Sequence, residues 1–170
     1  MIEKIISGGQ TGADQGGLEA AFEYGLETGG HIPKDFKTEE GNDPSLKKYF
    51  LEETKSKKYP IRTELNVRNS DATIWFGKTD SAGYYATQKF ATKHNKLFLI
   101  YGTFESNKVV SEWLLINRIK ILNVAGNRES KFPGLQFFVK SAIMEILELC
   151  DGDDGWSIFN DEIKNIDPRT

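Results

Sequence analysis

The chain has 170 residues, with 22 Lys and Arg against 25 Asp and Glu and a net charge of −3. That near balance argues against a non-specific nucleic-acid binder, which carries a basic excess, and the length fits one domain with a core of its own. The single cysteine, Cys150, rules out an internal disulfide, and no apolar run approaches the ~20 residues of a membrane span; a cytoplasmic protein with no membrane partner is expected.

The first element is an apolar strand, Ile2 to Ile6, followed by the glycine-rich turn Ser7-Gly8-Gly9-Gln10-Thr11-Gly12-Ala13-Asp14 and a helical pattern through Leu18, Ala21 and Phe22. A short second strand is predicted near His31 and Ile32, then a loop and a helix around Leu46–Thr54, because Gly29, Gly30, Pro33, Gly41 and Pro44 interrupt anything longer. Lys47, Lys48, Lys55, Lys57 and Lys58 cluster there, but Glu52 and Glu53 divide them, so a solvated face is the reading. Residues 61–71 form a polar approach to the next strand. If helical, they turn Leu65, Val67 and Ile61 inward and carry Glu64 and Arg68 as a helix-face ion pair.

Buried strands follow at Ala72–Phe76, Leu97–Tyr101 and Ile119–Val124, separated by helices over Gly83–His94 and Val109–Arg118. Asp80 or Ser81 can cap the first of these helices. Pro133 is placed to open the last helix at its first position. Leu135, Phe138, Val139, Ala142, Ile143, Ile146 and Leu147 give that helix a core stripe, with Cys150 as a small core residue. Strands alternating with helices predict an α/β fold: a doubly wound, mainly parallel sheet with helices on both faces. Residues 1–150 make this single domain. Residues 151–170 form an acidic tail whose Trp156, Ile158 and Phe159 are suited to pack on the domain or on a neighbouring subunit.

Ligands of such sheets sit at the carboxyl ends of the strands. The rule selects Gly8–Asp14, Gly77–Thr87, Gly102–Lys108 and Gly126–Phe132. In the first loop Gly8, Gly9 and Gly12 can bring backbone N–H groups to an anion at a helix N-terminus, with Gln10, Thr11 and Asp14 as side-chain partners. The spacing is neither a dinucleotide fingerprint nor a phosphate loop with its Lys; a tight strand-to-helix turn is the alternative, and it has no need of three hydrogen-bonding side chains beside the glycines. In the last loop, Gly126-Asn127-Arg128-Glu129-Ser130, Arg128 can grip a phosphate or oxyanion. Glu129 can accept from a ribose, pterin or purine; a capped helix start with a surface Arg–Glu pair is the alternative. Gly83 belongs to a helix start whose free N–H groups can meet a second anionic group. His31 and His94 lack partners at metal-ligand spacing, so no metal site is predicted. No nucleophile–His–acid set can be assembled, and catalytic residues stay unassigned.

These residues resemble a known family. Ile6 to Asp14, Arg62-Thr63 with Asn66-Val67, Ser70-Asp71-Ala72-Thr73, and Leu122 to Ser130 with Pro133-Gly134 are similar to the molybdenum carrier family, over Ile2 to about Leu149. That family includes the molybdenum cofactor carriers of algae. It lies in a Rossmann-like nucleotide-binding superfamily that also holds lysine-decarboxylase-like phosphoribohydrolases. The resemblance implies a Rossmann-like fold and a homo-oligomer, dimer or tetramer. It also implies binding of molybdenum cofactor (molybdopterin) or molybdate, or otherwise of a nucleotide-like anion, and it adds Arg62 and Thr63 to the site. The chain departs from the family at Gln15, where a basic residue is usual, at Asn127, usually Pro, and at Tyr84, commonly Thr. The phosphoribohydrolase signature P-G-G-x-G-T-x-x-E is absent. A small-molecule carrier is therefore favoured over a nucleotide-processing enzyme, for which Asp14 and Glu129 are the acid–base candidates.

Overall fold

The computed structural model describes residues 2–102 and 106–152. Its elements run β1 (Lys4–Ile6), α1 (Ala13–Tyr24), β2 (Glu27–Gly29), β3 (His31–Ile32), β4 (Lys37–Thr38), β5 (Gly41–Asn42), β6 (Glu52–Glu53), α2 (Tyr59–Arg68), β7 (Ala72–Phe76), α3 (Ala82–Lys93), β8 (Leu97–Tyr101), α4 (Asn107–Ile116), β9 (Ile121–Gly126) and α5 (Leu135–Asp151). Five strands form one parallel sheet in the order β2-β1-β9-β7-β8. This is the expected α/β, Rossmann-like architecture. No helix among the described residues is long and apolar enough to cross a membrane.

Alternation along the strands gives the two faces different chemistry. Ile5, Ile74, Phe76, Leu122 and Val124 point to one side, into the main core with Ala20, Ala21, Val110, Leu114, Val139, Ile143 and Ile146 of α1, α4 and α5. The other side carries Thr73, Trp75, Asn123 and Ala125, and it is covered by α2 and α3. There Asn123 Nδ2 donates to Thr73 Oγ1 at 3.0 Å, so the polar side chains on buried strands satisfy each other. The strand β7 feeds α3 on this polar side, while its neighbour β9 feeds α5 on the apolar side. Chains leaving adjacent strands in opposite directions open a crevice at the carboxyl rim.

Several expectations are corrected. The second strand of the main sheet is Glu27–Gly29, while His31–Ile32 pairs with Glu52–Glu53 in a separate two-stranded ribbon. No helix spans Leu46–Thr54. A 3-10 turn over Pro44–Tyr49 stops at Phe50, which adopts φ 57, and Leu46, Tyr49 and Leu51 join Leu18, Ile32 and Phe36 in a small core. Residues 59–68 are helical, but Ile61 is exposed, and Glu64 pairs with Lys93 and His94 of α3 instead of Arg68. The last helix begins at Leu135 behind a left-handed Gly134, so Pro133 precedes it, and Phe138 lies out of the stripe, edge-on to Tyr101. Ser81 is the cap of α3, accepting from the Tyr84 N–H at 3.2 Å. Cys150 is buried as expected, and that burial pushes its thiol up to about 11. Beyond Gly152 the tail lies outside the described residues, as do positions 103–105 of the Gly102–Lys108 loop.

Candidate functional site

A cleft of about 290 Å³ opens where β9 and β7 diverge. One wall is made by Gln10 and Asp14 from the first turn, with Tyr59, Arg62, Thr63 and Asn66 from α2. Asn123, Ala125 and Trp75 come from the polar side of the sheet, and Ser81, Ala82, Gly83 and Thr87 bring the N-terminal end of α3. Gly126, Asn127, Arg128 and Lys131 close the rim.

The buried pair Arg62–Asp14 anchors the site, Nη1 to Oδ2 at 2.8 Å. Burial pushes the Asp14 carboxyl above its ordinary value, against the pull of Arg62 and of the Gln10 N–H. The guanidinium runs directly over Gly8, where any Cβ would fall on it, so the glycine there makes room for Arg62. Arg128 lies over the Tyr59 ring at 4.8 Å and Arg62 at 5.9 Å, so one aromatic ring contacts both guanidinium groups. Neither Arg128 nor Lys131 has an ion-pair partner among the described residues.

The glycine-rich turn spends four of its N–H groups on protein: Gln10 N to Asp14 Oδ2, Thr11 N to Gln10 Oε1, Gly12 N to Gln136 Oε1 and Ala13 N to Asn127 O. Gly12, at φ 81, lies so close to the last loop that a Cβ would stand 2.5 Å from Asn127 O. The turn therefore seats the loop and Arg62, and side chains face the cleft.

Glu39, on the β4–β5 hairpin, ties the two loops together. Its carboxylate accepts from the Thr11 and Ser130 hydroxyls and from the Ser130 N–H. Burial opposes its ionisation, but the bonds from Ser130 and Thr11, with Arg128 nearby, hold it below the ordinary value. Its own N–H donates to Gln10 Oε1 at 2.9 Å. Glu129 is spent elsewhere: it accepts from the Gly134 and Gln136 N–H groups at the start of α5.

Of the residues singled out by sequence, Gln10, Asp14, Arg62, Thr63, Gly83, Gly126, Asn127 and Arg128 meet at the cleft. Gly8, Gly9, Gly12, Thr11, Glu129 and Ser130 stand behind it as packing or tethering groups. Tyr59, Trp75 and the tether Glu39 were missed, while Lys131 and Asn123 lay inside the stretches Gly126–Phe132 and Leu122–Ser130 without being singled out. Asn123, polar within an apolar strand, was a visible signal.

A family model described as "Circularly permutated YpsA SLOG family" matches residues 5–147. None of the curated proteins compared matches the chain. Among solved structures, the chain is similar to the crystal structure of "Putative molybdenum carrier protein" from Syntrophus aciditrophicus SB. The two are 34% identical with a TM-score of 0.76, over 89% of this chain and 96% of that one. The sheet gives the permutation a physical meaning: counted from β7 through β9 and on to β1 and β2, its order becomes 2-1-3-4-5, a common doubly wound order. The match across the domain and the 34% identical relative establish that this chain belongs to the circularly permutated YpsA family of SLOG proteins, a molybdenum carrier-like family.

Proposed function

We propose that the protein binds and carries a small phosphate-bearing pterin or nucleotide-like anion, with molybdenum cofactor as the foremost cargo. The observation that carries this is charge: Arg62, Arg128 and Lys131 face the cleft against the single carboxylate of Asp14. A phosphomonoester bears about −1.5 to −2 at pH 7 and matches that surplus. The N-terminal end of α3 adds a favourable dipole, and the unpartnered Gln10 Nε2 suits the edge of a heterocycle. The name of the crystallised relative, a molybdenum carrier, supports a molybdenum-bearing cargo. The cleft sits at the small end of ligand sites, roughly 300 Å³ upward.

Native mass spectrometry of freshly purified protein, followed by denaturing release, tests this reading. A released pterin or molybdenum supports the carrier. Protein that binds neither cofactor, molybdate nor a nucleoside monophosphate at micromolar concentration removes it. One observation favours an enzyme instead: the Asp14 carboxyl, raised by burial, stands in the cleft where a proton donor would. That reading expects hydrolysis of an N-glycosidic bond, and unchanged nucleoside monophosphates after long incubation exclude it.

A further inference from the structure

Gln10 is 4% exposed, yet its Nε2 has no hydrogen-bond partner among the described residues, and neither has the buried Arg62 Nε. The direction of the Gln10 amide is not arbitrary. Its Oε1 accepts from two backbone N–H groups, Thr11 at 3.0 Å and Glu39 at 2.9 Å. A flipped amide would set NH2 against both donors, so the oxygen is held on the protein side. A buried amide N–H2 left unsatisfied costs stability and is kept where something completes it. Both orphan donors belong to residues of one cleft wall, joined through Asp14: Arg62 Nη1 bonds Oδ2, and the Gln10 N–H bonds the same oxygen at 3.2 Å.

We infer that Gln10 and Arg62 form a subsite that admits only a hydrogen-bond acceptor of the ligand: a ring carbonyl with its neighbouring acceptor nitrogen, or an oxyanion oxygen. The inference rests on the carrier reading and deepens it, because it states which chemical edge faces this wall. An exocyclic amino group brought here would meet donors with donors. Glu39 is the positioning residue of the subsite, since its N–H fixes the amide and its carboxylate fixes the loops on either side.

The test compares guanosine monophosphate, adenosine monophosphate and inorganic phosphate by isothermal titration on wild type, Gln10→Glu and Gln10→Met. Guanine presents two acceptors on its Hoogsteen edge, whereas adenine presents a donor there. Gln10→Glu keeps an oxygen for the Thr11 and Glu39 N–H groups and removes the donor; Gln10→Met removes both. If the acceptor is a ring carbonyl, wild type prefers the guanine nucleotide by roughly tenfold or more, and both variants lose that ratio. If it is a phosphate oxygen, wild type binds all three probes, and Gln10→Met weakens all of them by roughly tenfold. A preference for the adenine nucleotide overturns the inference. So do affinities and ratios that neither variant changes, which leaves the carrier reading standing. Wild type that binds none of the probes overturns the inference, and the carrier reading falls with it when native mass spectrometry also finds neither cofactor nor molybdate. Should the variants not fold, the Gln10 side-chain amide resonances of wild type are followed by NMR; binding without a shift of these resonances overturns the inference.

Discussion

Arg62 and Arg128 share the Tyr59 ring but differ in what their loss removes. Arg62 neutralises a buried carboxylate, its side chain 14% exposed and that of Asp14 4%. Arg62→Ala leaves that carboxyl buried without its cation, so burial pushes it up further and it takes a proton; a loss of about 1–3 kcal/mol is expected in urea denaturation. Arg128 has no such partner, so Arg128→Ala should leave stability within roughly 0.5 kcal/mol. It should weaken binding of guanosine monophosphate by about 1.5–3 kcal/mol, measured by titration; unchanged affinity would make Arg128 a surface residue. Glu39 gives a pH signature. Its folded-state value lies below the ordinary 4.5, so its contribution to stability is present above that pH and lost as pH falls through the depressed value. Glu39→Gln should therefore flatten the acid side of a stability-against-pH curve below about pH 4.5, relative to wild type. Gln10, Asp14 and Arg128 were legible because polar types beside loop glycines at a carboxyl rim are suspicious in any sheet. Glu39 was not, since its partners Thr11 and Ser130 lie 28 and 91 residues away and nothing local marks the pairing.

At the scale of elements, apolar runs and helical stripes were what read. The strands β7, β8 and β9 were found because each is a run of apolar and β-branched residues, and α3, α4 and α5 because they carry helical stripes or clear caps; β8 was expected to be buried, but it is the edge strand of the sheet, and Leu97 and Ile100 are exposed. Between β2 and α2 only the short strand at His31–Ile32 read, and not its partner, because the paired strands there are two residues long and have no period to detect. The segment is held by tertiary contacts: Ile32, Leu46, Tyr49 and Leu51 against Leu18, and Asn66 bonded to both the N–H and the carbonyl of His31. The start of α5 shows the same limit. Glu129 looked like a ligand group, and its carboxylate instead satisfies the Gly134 and Gln136 N–H groups. Glu129→Ala should cost about 0.5–2 kcal/mol, as the loss of a helix cap does, and leave affinity for guanosine monophosphate unchanged. A fall in affinity with no fall in stability would return Glu129 to the ligand.

For the whole molecule, the sheet separates two tasks. One face packs α1, α4 and α5 into the main core, and the other keeps Thr73, Asn123 and Trp75 for the cleft. The site thus depends on which strands are neighbours and which way their chains leave, and not on where the chain starts. The ends of the described chain are close: Ile2 and Cys150 line the same shallow cleft, and Tyr24 Oη donates to Asp151 at 2.8 Å. A chain opened between β6 and α2, in the exposed stretch around Lys55–Lys58, would keep every strand pair and both walls of the cleft. With the ends of the described chain, Ile2 and Gly152, joined by a linker, this reordered chain would present the sheet as 2-1-3-4-5 from its first strand. It is expected to fold with an unchanged circular dichroism spectrum and a single cooperative urea transition, since a break at an exposed site between nearby ends is tolerated. Its affinity for guanosine monophosphate should fall by no more than a few fold, because α2, which carries Arg62, stays packed on α3 through Glu64, Lys93 and His94. A permuted chain that folds but no longer binds would mean that the link from β6 into α2 holds Arg62 over Gly8, which the packing of α2 alone would then be too weak to do.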